Sequence, residues 1–228
     1  MAFKDYWKKK RRQECIRERR EHYIFCEGEC TEPNYFESFK SLICYDPIYR
    51  GMIQIKIVSC QKNTLGILEE AIDFVKKKKI VEADIWCVYD KDDFPVKDFD
   101  EVNKKINELN KWGVKIKYHA IWSNECFEFW FLLHFSNYRS DNGRKAYFSF
   151  LNEKFKKLGI GEYQKNCKEI FDILLNNGDP KRAILYAKNI IKESRNKEPS
   201  KIVPGTKVYE LVVTLADYLP EEYKKKFI

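Results

Sequence analysis

The chain has 228 residues and a mass of 27.4 kDa, with 43 Lys and Arg against 35 Asp and Glu, a net charge of +8. That length suits one large domain, or one domain with a modest appendage, and the 44% hydrophobic and 15% aromatic content excludes disorder throughout, because such a chain buries enough apolar surface to offset its ordering entropy. Only 9 Gly and 7 Pro exclude collagen-like and low-complexity classes, and no apolar stretch nears the roughly 20 residues that cross a bilayer.

The charge is unevenly placed. Residues 1–20 carry nine Lys and Arg against three acids, a net +6, which leaves +2 for residues 21–228. Such an arm, with Lys8, Lys9, Lys10, Arg11 and Arg12 as its candidate nucleic-acid contacts, either holds phosphates through attraction and counterion release or is a solvated tail. It has no apolar region behind the basic run and no small-residue cleavage site, so a secretory signal is not expected and the expected location is the cytoplasm, where thiols stay reduced. The 8 cysteines form no CxxC pair, and the spacing of Cys26 and Cys30 with no later partner cluster argues against zinc. Cys87 and Cys126 sit in apolar runs and read as small buried hydrophobes.

Tyr23–Cys26 is a short apolar run ended by Glu27-Gly28-Glu29, a buried strand and a turn. Thr31 reads as an N-cap with Glu32 and Pro33 in the first turn, and Tyr35, Phe36, Phe39, Leu42 and Ile43 follow at helical spacing to about Cys44. These aromatics read as core. Ile53, Ile55 and Ile57 alternate as a second strand, and Leu65, Leu68, Ala71, Ile72 and Val75 form a helical stripe ending in Lys76–Lys79, charges favourable at a helix C-terminus.

Ile85–Tyr89 is continuous and apolar, as in a strand covered on both faces, and it runs into Asp90-Lys91-Asp92-Asp93. A helix over about Asp98–Trp112 and a fourth strand over Val114–Trp122 follow, then Ser123-Asn124-Glu125, which reads as the cap of an apolar helix over Cys126–Phe135. His134, near its end, reads as a packed or capping histidine. The alternation of strand and helix predicts an α/β fold, a mostly parallel four-stranded sheet with right-handed crossovers and helices on both faces. From Asp141 the pattern is helical, with stripes at Ala146–Leu158, Ile170–Leu175, Ala183–Ile191 and Val208–Leu219, and a loop over Asn196–Gly205. The expected organisation is a basic arm over 1–21, an α/β core over 22–140 and a helical extension over 141–228 packed on that core.

In open parallel sheets the ligand site forms beyond the carboxyl ends of the strands. Glu27 and Glu29 follow the first strand, and Asp90, Asp92 and Asp93 follow the third, so five carboxylates can meet on one edge. Their repulsion calls for a cation, and hard oxygen donors suit Mg²⁺ or Mn²⁺. Acids that hold a metal, in a chain whose Lys and Arg hold a strand, are what phosphodiester hydrolysis needs. The plainer alternative is that Asp and Glu are common in turns. Glu128 interrupts an apolar run, where a lone charge is costly, and is either a further ligand or half of a buried ion pair with an arginine.

The blocks CEGECTEPNYFESF, IWCVYDKDDFP and SNECFEFWFLLHF, in this order over about residues 23–135, resemble the RloB family, which includes abortive-infection proteins of the AbiLii type. Pro199 and TKVYELV at 206–212 resemble the family's end. The resemblance implies a Toprim-like core, as in topoisomerase–primase and OLD-type nucleases, with Glu27 as the glutamate of the EG turn and Asp90 and Asp92 as the DxD pair. Together with the acids at the strand ends it points to a metal-dependent nuclease with Mg²⁺ or Mn²⁺ held by Glu27, Asp90 and Asp92, Glu29, Asp93 and Glu128 being further candidates from their own positions in the sequence. The resemblance also implies bacterial anti-phage defence and an ABC/AAA-type ATPase partner; the expected substrate is RNA, with tRNA among the candidates, or DNA, and a homo-oligomer is a further expectation. Two positions depart from the family, which usually has Pro at 125 and a basic residue at 30, where this chain has Glu125 and Cys30. A non-catalytic module that binds nucleic acid or the ATPase and keeps a vestigial site is the alternative.

Overall fold

The computed structural model describes residues 20–47, 49–51, 53–57, 64–110 and 115–228. Lys8, Lys9, Lys10, Arg11 and Arg12 therefore lie outside the described residues. Strands β1 (His22–Cys26), β2 (Ile53–Ile57), β3 (Ala83–Asp90) and β4 (Ile116–Asn124) run parallel, and β5 (Gly205–Thr206) lies antiparallel beside the end of β4. The order is β2-β1-β3-β4-β5, so the sheet has five strands, not the four expected. The fifth is two residues long and has no alternation to read. Backbone pairing at Ser123 and Asn124, a 3.1 Å bond between the Ser123 and Thr206 hydroxyls, and a bond from the Lys207 N–H to the Trp122 carbonyl hold it in place.

Register decides which side each residue faces. Phe25, Cys87 and Ala120 align across the sheet, as do Tyr89 and Trp122, and alternation puts this set on one face with Ile24, Trp86 and His119 on the other. The first face carries α2 (Thr64–Lys78) and α3 (Val96–Leu109): Phe74 meets Phe25 at 5.6 Å between ring centroids, and Phe99 meets Tyr89 and Trp122 at 5.4 and 5.9 Å. α3 begins two residues before the expected Asp98 and ends at Leu109. On the second face His22 accepts from the Trp86 indole through Nδ1 and bonds the Tyr218 hydroxyl through Nε2 at 3.0 Å.

α1 (Thr31–Cys44) buries Tyr35, Phe36, Phe39 and Ile43, the stripe its spacing predicts. α4 (Glu128–Leu133) is shorter than expected, and the remaining helices are α5 (Gly143–Lys157), α6 (Ile170–Asn177), α7 (Pro180–Glu193), α8 (Val208–Ala216) and α9 (Glu221–Lys224). One apolar core runs from Tyr23 to Phe227. Phe171 of α6 packs on Tyr35 and Phe39 at 5.4 and 5.0 Å, and Phe227 on Phe39 at 5.3 Å. Each such side chain contributes roughly 1.5–3 kcal/mol, so the helices after residue 141 and the sheet stabilise one another.

Two expected caps are not formed. Thr31 lies inside α1, with Cys30 at the N-cap, and its hydroxyl donates to the Lys165 carbonyl at 3.1 Å. Asn124 still belongs to β4, and its amide donates to the carbonyls of Pro199 and Ser200 at 3.4 and 3.2 Å, tying the 199–201 turn to the sheet edge. α7 is capped by Asp179, which accepts from the Arg182 N–H at 2.9 Å, with Pro180 at its first position. Before it, a Cβ on Gly178 would lie 2.8 Å from both His134 Cβ and the Leu174 carbonyl. Gly178→Ala should therefore cost roughly 1–3 kcal/mol, read as a lower denaturation midpoint with an unchanged slope. His134 is a packed residue, buried with Nδ1 3.0 Å from the Trp130 carbonyl. No helix among the described residues is long and apolar enough to cross a membrane.

Candidate functional site

β1 and β3 are neighbouring parallel strands, so their carboxyl ends open on the same edge. Glu27 follows β1, anchored by its N–H to the Val88 carbonyl at 3.1 Å. Asp90 ends β3. Its N–H donates to Glu27 Oε2 at 3.3 Å, and its Oδ2 accepts from the Phe127 N–H at 3.0 Å. Its Oδ1 is sealed from solvent with no hydrogen-bond partner among the described residues. Two further acids close the site: Glu32 in the first turn of α1, 4% exposed, and Glu128 at the start of α4, 2% exposed. Glu128 Oε1 accepts from the Tyr163 hydroxyl at 2.9 Å. All four line one cavity of about 730 Å³, with Asp92 and Lys165 also in its wall.

Crowding in a water-poor place raises these acids. Burial pushes Glu27 up to about 7, against the pull of the Asp90 N–H and with help from the Asp92 charge. Burial also lifts Glu32 to about 7; its own backbone N–H and Lys165 work the other way, while Glu128 and Glu27 add to the rise. Asp90 stands well above the usual carboxylate range, through burial first and then Glu32, Asp92 and Glu128. Such acids hold protons to higher pH than ordinary carboxylates, and a cation can take the protons' place.

The structure brings Glu27, Asp90 and Glu128 of the expected residues together. Asp92 lines the same cavity, at φ 35°, but its Oδ1 takes Arg144 Nη1 at 2.9 Å. Asp93 is exposed outside the cavity lining, with Oδ2 2.7 Å from Arg144 Nη2, and Glu29 is exposed on the cavity wall. The buried ion pair offered for Glu128 is not formed: Tyr163, not an arginine, is its partner among the described residues. Glu32, Tyr163, Lys165 and Arg144 went unread in the sequence. A signal existed for Glu32, which stands three and four residues before Tyr35 and Phe36, on the apolar stripe of α1. Gly28 leaves room for it, since a Cβ there would lie 2.0 Å from Glu32 Oε2.

These donors fit a hard divalent cation: all are carboxylates, and one buried oxygen of Asp90 has no other partner. Among the described residues no three His, Cys, Asp or Glu side chains are grouped as a ready-made metal cage.

Comparison with curated proteins and with solved structures gave no match. The chain does match the family described as RloB-like protein over residues 22–215, a span that takes in every strand of the sheet and the acid-lined cavity, and it belongs to that family.

Proposed function

We propose that the protein is a metal-dependent nuclease of Toprim-like design, hydrolysing phosphodiester bonds of RNA or DNA at the cavity between β1, β3 and α4. The observation that carries the reading is the buried, unpartnered Oδ1 of Asp90 in a cluster of acids with raised proton affinity. A glutamate after β1 and an aspartate ending the adjacent parallel strand β3 support the Toprim-like assignment. Asp90, Glu27 and Glu32 would hold Mg²⁺ or Mn²⁺, with Asp92, Glu128 and Glu29 near enough in the cavity to serve further ions or waters. The cation supplies charge neutralisation at the phosphate and an activated water. Lys165, in the cavity wall, would attract the phosphate, and Tyr163 fixes the orientation of Glu128. Asp93 serves as a partner of Arg144 rather than a ligand.

The role as effector of an abortive-infection system and the ATPase partner rest on the resemblance to the family; tRNA suits an effector that stops growth, and the cytoplasmic location follows from the sequence of the basic arm. One observation favours the alternative of a binding module with a vestigial site: Arg144 already neutralises Asp92 and Asp93. The test is incubation of the protein, with and without its cognate ATPase, with labelled tRNA and DNA in Mg²⁺ or Mn²⁺, beside Glu27→Ala and Asp90→Ala. Cleavage by the wild type that both variants lose is the expected outcome. Equal cutting by the variants would remove these acids from the site, and no cutting by the wild type in any combination would leave the binding module.

A further inference from the structure

A second cavity, of about 610 Å³, is walled by α3, the end of β4, α7, the 194–202 connection and the start of α8. Its charged lining is cationic throughout: Lys188, Lys192, Arg195, Lys197 and Lys207, with no Asp or Glu among the lining residues. Lys207 pairs with Glu210 at 3.3 Å, whereas Lys188, Lys192, Arg195 and Lys197 have no ion pair among the described residues. Lysines in the last turn of a helix ordinarily answer its dipole, which accounts for Lys192. It does not account for Lys188, a turn earlier, or for Lys197 and Lys207, which come from other segments. Gathered in one concavity, these mostly exposed cations give it a positive potential that attracts an anion.

Trp122 forms part of this wall. Tyr209 adds an aromatic face to the wall, with Lys188 Nζ 6.0 Å from its ring centroid. Cations for phosphate and a ring for stacking are components of a nucleotide site. The cavity lies within the range of small-ligand pockets.

We infer that this cavity binds a nucleoside phosphate, either free or as one unit of a nucleic-acid strand, independently of the acid-lined cavity. The two cavities share no lining residue. Binding is therefore measured without any divalent cation, which keeps its outcome apart from that of the nuclease reading.

The full chain in EDTA is titrated calorimetrically with AMP, ATP and a short single-stranded oligoribonucleotide. Saturable binding at about 1 mM or below is expected. It should weaken at least about tenfold in the Lys188→Ala/Lys192→Ala double variant, whose two side chains are exposed and leave the core untouched. Asp90→Asn should bind as the wild type does. Tighter binding of the oligoribonucleotide assigns the site to a strand, and tighter binding of ATP or AMP assigns it to a free nucleotide. Binding that the lysine variant leaves unchanged, binding that Asp90→Asn abolishes, or no binding of any probe would overturn the inference.

Discussion

Asp90→Asn should abolish cleavage and at the same time raise the protein's melting temperature in EDTA at pH 8. The two effects have one cause. Asp90 Oδ1 is buried without a partner, next to Glu27 and near Glu32 and Glu128, so its charge is a liability in the metal-free protein. An asparagine keeps an oxygen for the Phe127 N–H, now held by Oδ2 at 3.0 Å, and turns the other atom into a donor facing acids. Removing the repulsion should gain on the order of 1–3 kcal/mol, and each kcal/mol is worth about 2–4 °C in a chain of this size. Loss of the charge also removes a principal candidate ligand, and activity should fall at least about 10²–10³-fold. An aspartate that only braces a turn would behave in the opposite way, with a lower melting temperature and unchanged cleavage. That result would count against both the site and the chemistry. The experiment pairs calorimetry in EDTA with single-turnover cleavage in Mn²⁺.

The parts of this site that could be read in advance were those stated by neighbouring residues. Strands β1 and β3 are apolar at nearly every position because both their faces are covered, and that continuity identified them. Once they are strands, Glu27 and Asp90 must stand at their carboxyl ends, and topology brings those ends side by side. Side-chain direction is a different matter. Asp92 and Asp93 share a turn with Asp90, yet Arg144, 52 and 51 residues away, turns them to itself. Nothing local in the sequence announces that partner. Tyr163 is likewise 35 residues from Glu128, and the expectation of a buried arginine failed because a hydroxyl can satisfy a carboxylate where an ion pair would cost more desolvation. Glu32 was missed for another reason. An acid in a first helical turn is ordinary, and its place on the apolar stripe was the detail that distinguished it. Asn124 shows the same limit: as a strand-end residue it has a capping side chain, but its acceptors, Pro199 and Ser200, come from a turn 75 residues on.

The stability of the metal-free protein should fall as pH rises from 6.5 to about 7.5, and Mg²⁺ or Mn²⁺ should restore it. Glu27 and Glu32 in the folded protein titrate at about 7, above the ordinary 4.5. Between those values the unfolded chain has released protons that the folded chain still holds, so stability decreases with pH. For Glu27 the shift corresponds to about 3 kcal/mol, complete once pH passes 7, and Asp90 acts in the same direction. His22 and His134, both lowered to about 4 by burial, oppose this at lower pH. There the unfolded chain takes up protons first, so their contribution to stability grows as pH rises from 4 to 6.5 and is then constant. Between pH 6.5 and 7.5 the acids therefore govern the slope; buried thiols such as Cys26 and Cys87, raised by burial, add to it only near pH 8 and above. A cation competes with the protons on Glu27, Glu32 and Asp90, so its stabilising increment should be small at pH 5 and large at pH 8. With the ion at about 100 times its dissociation constant, the increment approaches about 2.7 kcal/mol. Glu27→Gln should flatten the fall in EDTA and shrink the increment at pH 8. Denaturant titrations at pH 5 and 8, with EDTA and with saturating Mg²⁺, supply the comparison. An increment of equal size at both pH values would mean that the cation binds elsewhere than at these acids.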